Sequence, residues 1–376
     1  AVIVLSRFSG EGWDREPVFY QEPDYPWPDE LNMPRKAKAV FPKGDYYLTD
    51  EERTMVEQVC AAFDKVVVVL NVGGVVDVSW FWEDDRISSA LLAGQGGMEG
   101  GAAIAALLTG KVNPCGKLPD TFARDLSDYP STEHFHDSPH YVEYTEDIYV
   151  GYRWFETLPG AAERVCCPFG YGLSYTSFAL ETVYAGESDG RAEVSVRVTN
   201  TGKRAGREVV QLYYSAPWGL LQKPKRCLAA FQKTKLLEPG ESQTVELTFA
   251  VSDMASFDDL GKIAPSAWVL EKGRYPLYVG TSVRDTVELD YAWEQPETVV
   301  LAQLSASLAP SRLEKRLLGD GSYENLPAAP EVDTNANLFP PLTAAQSEAV
   351  APAVPGRGRW MLTQPFAEGV QPLSAV

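Results

Sequence analysis

The 376-residue sequence carries 33 Lys and Arg against 52 Asp and Glu, a formal charge of −19, with 45% hydrophobic and 23% charged residues. That is enough apolar material for two ordinary domains and a tail. A surface this negative repels phosphate backbones and argues against nucleic acid as a partner, and no apolar run reaches the 18 residues of a helical membrane span.

In chain order, the sequence opens without Met or signal peptide inside the apolar run AVIVL at 1–5. We expect an upstream portion, with any targeting signal, to precede it. The runs 1–5 and 66–70 (VVVVL) are of strand length and unbroken, as in parallel strands covered on both faces. Between them TDEE at 49–52 reads as a capping box, followed by Met55, Val56, Val59, Cys60 and Phe63 at helical spacing. Residues 87–93 form a third strand candidate. The stretch 94–101 (GQGGMEGG) then turns into a helix over 102–109 that Gly110 stops. Strands and helices in this alternation predict an α/β layer over 1–178.

Residues 179–296 change character. Strand-like runs at 192–199, 208–215, 244–250 and 275–279 are separated by turn signals such as NTGK at 200–203 and EPGE at 238–241. This spacing predicts an antiparallel sandwich. Residues 297–376 are rich in Pro and Ala, as in APAVP at 351–355, and read as linker or tail, with 299–318 partly helical. Trp360 and Phe366 within it argue against pure disorder.

The five cysteines, at 60, 115, 166, 167 and 227, have an odd count and no CxxC spacing. Reduced thiols in a cytoplasmic protein are the expected state. His134, His136 and His140 sit close together, yet no carboxylate or Cys falls at a familiar ligand spacing, so an exposed polar loop is favoured over a metal site.

Chemistry concentrates in RFSGEGWDR at 7–15, directly after the first strand candidate. Ligand-facing groups gather at the carboxyl ends of parallel strands. Gly10 and Gly12 free the backbone to push the Glu11 carboxyl outward, and Trp13 suits stacking on the apolar face of a sugar. Arg7, Asp14 and Arg15 can hold the loop and bias the carboxyl. Read alone, the string is more readily a polar glycine turn. Gly73-Gly74 and GQGGME at 94–99 both fail the GxGxxG spacing; they read as tight strand-to-helix turns, with Gly100 and Gly101 allowing close packing. Glu146 and Asp147 compete with Glu11 as an acid, but their apolar neighbours favour buried structural carboxylates.

Taken together, SGEGWDR (9–15), VVVLNVGGVVDVSW (67–80), GQGGMEGGAAIAALLTGKVNPCGKLPDTF (94–122), YTEDIYVGYRWF (144–155) and PFGYGLSYTSF (168–178) closely resemble the α/β-sandwich domain of glycoside hydrolase family 3. NTGKRAGREVVQLY (200–213), FQKT (231–234), LEPGE (237–241) and YVGTS (278–282) resemble the fibronectin type III-like domain that follows it there. Cys115 stands where the family usually has Ser.

The resemblance implies a retaining exo-acting β-glycosidase, most like a β-glucosidase, that needs no metal or organic cofactor. Glu11 would be the acid/base, Trp13 and Arg7 would contact substrate, and Asp14 and Arg15 would support the loop. The nucleophilic Asp belongs to a (β/α)₈ barrel whose motif has no match in these residues, so this chain alone is expected to be inactive. The Pro/Ala-rich extension favours the family's reversed order, with the barrel downstream. The competing readings are a non-catalytic carbohydrate-binding or adhesion module and a truncated product that binds nothing well.

Overall fold

The computed structural model describes residues 1–8, 15, 33–134, 142–304 and 313–327, which lie within one compact unit spanning residues 1–327. Its first part is an α/β layer. Strand β1 (Val2–Ser6) leads by way of helix α1 (Met33–Val40) and helix α2 (Asp50–Ala62) to strand β2 (Val66–Asn71). The short helix α3 (Ser79–Trp82) then precedes strand β3 (Ile87–Leu92), and helix α4 (Gly100–Leu108) follows it. The strands form a parallel sheet in the order β1-β2-β3.

The expected capping box is present at α2: the Thr49 hydroxyl accepts from the Glu52 N–H, and the Glu52 carboxylate accepts from the Thr49 N–H. Val56 and Cys60 turn inward from this helix, whereas Met55 and Phe63 are exposed. Gly110, at φ +70°, ends the α4 segment in the left-handed conformation that glycine adopts without a steric penalty.

Coverage of the sheet on both faces is found only at β2, where Val66, Val68, Val69 and Leu70 are all buried. In β1 the pattern alternates: Ile3 and Leu5 are inside while Val2 and Val4 are about half exposed, at 52% and 56%. An apolar run alone therefore overstated the burial of β1: among the described residues, only β2 has strands on both edges. Gly100 and Gly101 likewise do not serve close packing, since a Cβ on either meets nothing within 4 Å. The tight approach is at Gly96, whose Cβ would lie 2.8 Å from the Gly100 Cα.

A small antiparallel pair, β4 (Phe122–Ala123) with β5 (Val165–Cys167), and helix α5 (Tyr152–Thr157) complete this part. A sandwich follows. Strand β6 (Phe178–Ser188), β7 (Arg191–Asn200), β8 (Val209–Tyr214), β9 (Cys227–Lys233) and β10 (Ser242–Ala250) are joined by β11 (Ser256–Asp258), β12 (Ala267–Leu270), β13 (Gly273–Gly280) and β14 (Thr286–Gln295). Sheet β10-β7-β6 faces sheet β14-β13-β8-β9. Alternate residues such as Val194, Val196 and Val198 of β7 and Tyr275, Leu277 and Val279 of β13 fill the space between them.

The expected partly helical segment at 299–318 is overturned among the described residues. Strand β15 (Val299–Gln303) pairs antiparallel with β12, and β16 (Lys315–Leu317) pairs with β17 (Tyr323–Asn325). Residues 297–304 and 313–327 are thus part of the folded unit rather than linker. A short apolar run is ambiguous between helix and strand, and the open edge of β12 decides it.

Strand β8 carries buried side chains at five successive positions because its second face meets the α/β part. Gln211, 3% exposed, donates from Nε2 to the carbonyls of Gly170 (3.2 Å) and Thr281 (2.7 Å) and accepts from the Tyr213 hydroxyl. Nearby, Lys117 pairs with Glu208 at 2.8 Å. The rings of Tyr152 and Phe169 stack with centroids 4.5 Å apart, and the Tyr152 hydroxyl accepts from the Leu228 N–H. Gln211→Leu leaves these buried polar partners unmet and should lower unfolding free energy by about 1–3 kcal/mol, read as a shift in the urea midpoint. An unshifted midpoint would show that the two parts do not depend on this contact.

Candidate active site

In a parallel sheet the strand ends that point the same way form one edge, so residues far apart in sequence meet there. At the carboxyl edge of β1-β2-β3 these are Arg7, the turn after Asn71 and the turn after Leu92. The Arg7 N–H extends the ladder to the Asn71 carbonyl at 3.1 Å, and the Ala93 N–H reaches the Leu70 carbonyl at 2.9 Å. The carboxamide of Gln95 crosses over Gly73, where a Cβ would lie 3.0 Å from its Cδ. At Gly74 a Cβ would lie 3.2 Å from Nη1 of Arg15. Both glycines therefore admit side chains from other turns against bare backbone, as expected of tight turns.

Arg7 is 5% exposed, and its guanidinium is fully engaged. Nε donates to the Asp45 carbonyl at 2.7 Å, Nη1 to the Ser6 carbonyl and Glu52 Oε1, and Nη2 to the Tyr47 carbonyl and Glu52 Oε2. The group also lies 4.5 Å from the centre of the Phe41 ring. Five N–H groups are the whole donor capacity of an arginine. The substrate contact expected of Arg7 is therefore corrected: this side chain fastens the end of β1 to the start of α2. Glu52 serves both the helix cap and this clamp.

Arg15, expected to support the loop, makes a two-point ion pair with the Asp45 carboxylate, Nε to Oδ2 at 2.8 Å and Nη2 to Oδ1 at 3.0 Å, while Nη1 donates to the Val75 carbonyl at 2.7 Å. Its side chain is 13% exposed and that of Asp45 8%. Glu11, Trp13 and Asp14 lie outside the described residues. The two ends of the 7–15 string thus converge on Asp45, one on its carbonyl and one on its carboxylate. Neither Asp45 nor Gln95 was singled out from the sequence. GDYY at 44–47 holds no pattern that predicts a shared anchor.

Several other titratable groups among the described residues are taken up by packing. Tyr46 is buried beside the clamp, and burial, with Tyr129 nearby, holds its phenol far above the ordinary value. All five cysteines are free thiols, and burial pushes Cys166 up to about 11 and Cys167 to about 12, so neither is a thiolate at neutral pH. Glu146 is 6% exposed, within a turn closed by the Tyr149 N–H on its carbonyl. Asp147 has its carboxyl raised by burial, opposed by Arg316 at 3.5 Å. Arg316 in turn holds Asp259 at 2.9 Å and Glu324 at 2.7 Å. Glu146 is thus buried, and Asp147, partly exposed, belongs to the Arg316 cluster. Of the histidines, His134 ends a short 3₁₀ turn, and His136 and His140 lie outside the described residues.

Comparison with known proteins places these observations. Residues 1–152 match the glycosyl hydrolase family 3 C-terminal domain, and residues 208–283 match the fibronectin type III-like domain. Beta-glucosidase A of Butyrivibrio fibrisolvens is 53% identical over 355 residues, covering 90% of this chain and 42% of that protein. A beta-glucosidase of Ruminococcus albus is 40% identical over 340 residues, covering 85% of this chain and 35% of that protein. Among solved structures, a beta-glucosidase from Paenibacillus barengoltzii superposes with a TM-score of 0.76 at 38% identity, over 94% of this chain and 38% of its own. The chain spans less than half the length of the relatives it matches. The α/β layer and the sandwich that follows it are thus the C-terminal domain of glycoside hydrolase family 3 and the fibronectin type III-like domain.

Proposed function

We propose that this chain supplies the acid/base carboxyl of a retaining β-glucosidase, Glu11, to a sugar held by a barrel domain that carries the nucleophile. The observation that carries the proposal is the anchoring of Arg7 and Arg15, four residues on either side of Glu11, at the carboxyl edge of the parallel sheet. A retaining enzyme needs two carboxyl groups about 5–5.5 Å apart: one attacks the anomeric carbon, the other protonates the departing oxygen and then deprotonates water. Glu11 takes the second role. Trp13 offers a stacking face for the sugar and Asp14 a further loop support, while Arg7 holds the frame from inside.

The two relatives are beta-glucosidases, which makes a terminal β-linked glucoside the substrate of choice. A match over 90% of the chain has to reach beyond residue 296. A shared extension past the sandwich fits the reversed domain order, with the barrel downstream.

The test is complementation. This chain alone should give no turnover of nitrophenyl β-glucoside, because one carboxyl cannot complete a two-step displacement. Joined to, or mixed with, the barrel of a reversed-order relative, it should turn the substrate over with retention of configuration. Saturable sugar binding without hydrolysis in the presence of the barrel would favour a binding module instead.

A further inference from the structure

We propose that the sandwich carries a binding site of its own, a cleft on the outer face of sheet β14-β13-β8-β9 that takes a uronate unit of an acidic glycan. Its function does not rest on the role of Glu11.

Strand alternation builds the cleft. In β13, Tyr275, Leu277 and Val279 turn into the core, so Arg274, Pro276 and Tyr278 stand on the opposite face. The 215–226 loop runs beside them from β8 to β9, and its two ends are tied together. The Ser215 N–H donates to the Pro276 carbonyl at 3.1 Å, and the Ser215 hydroxyl donates to the Lys225 carbonyl at 2.6 Å. From the α/β part, the Thr157 hydroxyl accepts from the Lys225 N–H at 2.8 Å. The resulting cleft has a volume of about 330 Å³, at the lower end of the range for small-molecule sites.

Its lining sets apolar faces beside cations. The Trp218 ring rests against Gly319, where a Cβ would lie 2.6 Å from it, yet the residue is 60% exposed. Pro276 and Tyr278 extend this apolar wall. Lys225, Arg226 and Arg274 bring three positive charges, and among the described residues no carboxylate lines the cleft. Arg226 is held rigidly: its guanidinium lies 4.0 Å from the centre of the Tyr278 ring, and Nη1 donates to the Val283 carbonyl at 3.1 Å and the Thr286 hydroxyl at 2.6 Å. Arg274 is steadied from β14 by Glu288 at 3.0 Å and Glu294 at 3.7 Å, which offset part of its charge.

Lys and Arg side chains donate hydrogen bonds and accept none, whereas a carboxylate accepts and does not donate. A neutral sugar would leave the cations without a counter-charge, and inorganic phosphate would leave the Trp218 face unused. A uronate meets both needs, with an apolar C–H face for the indole and a carboxylate for the cations. In a chain of formal charge −19, three cations around one cleft stand against the overall field.

The experiment titrates the barrel-containing enzyme by calorimetry with trigalacturonate, maltotriose and inorganic phosphate. The α-linkages of both oligosaccharides keep them from being cut by a β-glucosidase. Trigalacturonate should bind saturably, and severalfold more weakly when NaCl is raised from about 50 to about 300 mM. Lys225→Gln and Trp218→Ala should each weaken it by about 10-fold, the worth of one charge-assisted hydrogen bond or one stacked ring. Lys225→Gln alters only an exposed side chain and carries the test if Trp218→Ala fails to fold. No saturable binding of trigalacturonate, or binding that neither variant weakens, overturns the site. Maltotriose bound as tightly as trigalacturonate overturns the acidic ligand. Phosphate bound as tightly, with Trp218→Ala without effect, reduces the cleft to an anion contact and overturns the glycan.

Discussion

Glu11→Ala in the barrel-containing enzyme should lower kcat/KM on an alkyl β-glucoside by about 10²–10⁴-fold, the usual contribution of a positioned proton donor. The loss should be small on dinitrophenyl glucoside, whose leaving group needs no proton. On that activated substrate the second step becomes limiting, because no carboxylate remains to deprotonate water. Azide, which needs no deprotonation, should then raise turnover and yield a β-glycosyl azide. The basic limb of the kcat/KM profile should disappear as well: it reports the general acid, whose protonated form is lost as pH rises through its pKa. Loss of the acid leaves nothing to titrate on that side. An alkyl glucoside hydrolysed at the unaltered rate would reject Glu11. A product azide of inverted configuration would reject the retaining pathway with it.

How much of this was legible in the sequence depends on how local each determinant is. The α2 cap was readable because both halves of its box lie within four residues, and Gly110 because a helix stop is a single-residue signal. Strands β7, β8, β10 and β13 fall within two residues of their expected limits, since alternation and turn chemistry lie on the strand and its ends. What failed was decided by partners far along the chain. Val299–Gln303 is a strand because β12, some thirty residues earlier, offers an edge. Arg7 near a strand end is as good a ligand contact as a clamp until Asp45 and Glu52, 38 and 45 residues away, are seen to occupy it. The same distance hid Asp45, which sits in a segment with no motif. The SGEG string, by contrast, could not be read by itself: alone it is a polar glycine turn, and it took the resemblance of several long strings in order to give Glu11 a role.

The second large effect concerns stability and lies in the sandwich. Lys223 is 1% exposed and Glu271 5%, and their charged ends are in direct contact. The Glu271 carboxylate also accepts from the N–H groups of Leu220 at 2.8 Å and Leu221 at 3.3 Å, and the Lys223 ammonium donates to the Leu221 carbonyl at 3.2 Å. A Cβ on Gly219 would lie 2.2 Å from Glu271 Oε1, so the 219–223 turn is wrapped closely around the carboxylate. Removing one partner of such a pair strands the other charge away from water. Lys223→Met should therefore destabilise by about 3–5 kcal/mol, read from the urea midpoint at constant slope. The carboxylate should not simply be deleted alongside it, because the Leu220 and Leu221 N–H groups need an acceptor. Lys223→Met with Glu271→Gln keeps an amide oxygen for them and removes the stranded charge, so the double variant should recover most of the loss. If the single variant is lowered by less than about 1 kcal/mol, the pair is solvated in solution. If the double variant is no better than the single one, packing of the lysine stem, not charge burial, is what this turn depends on.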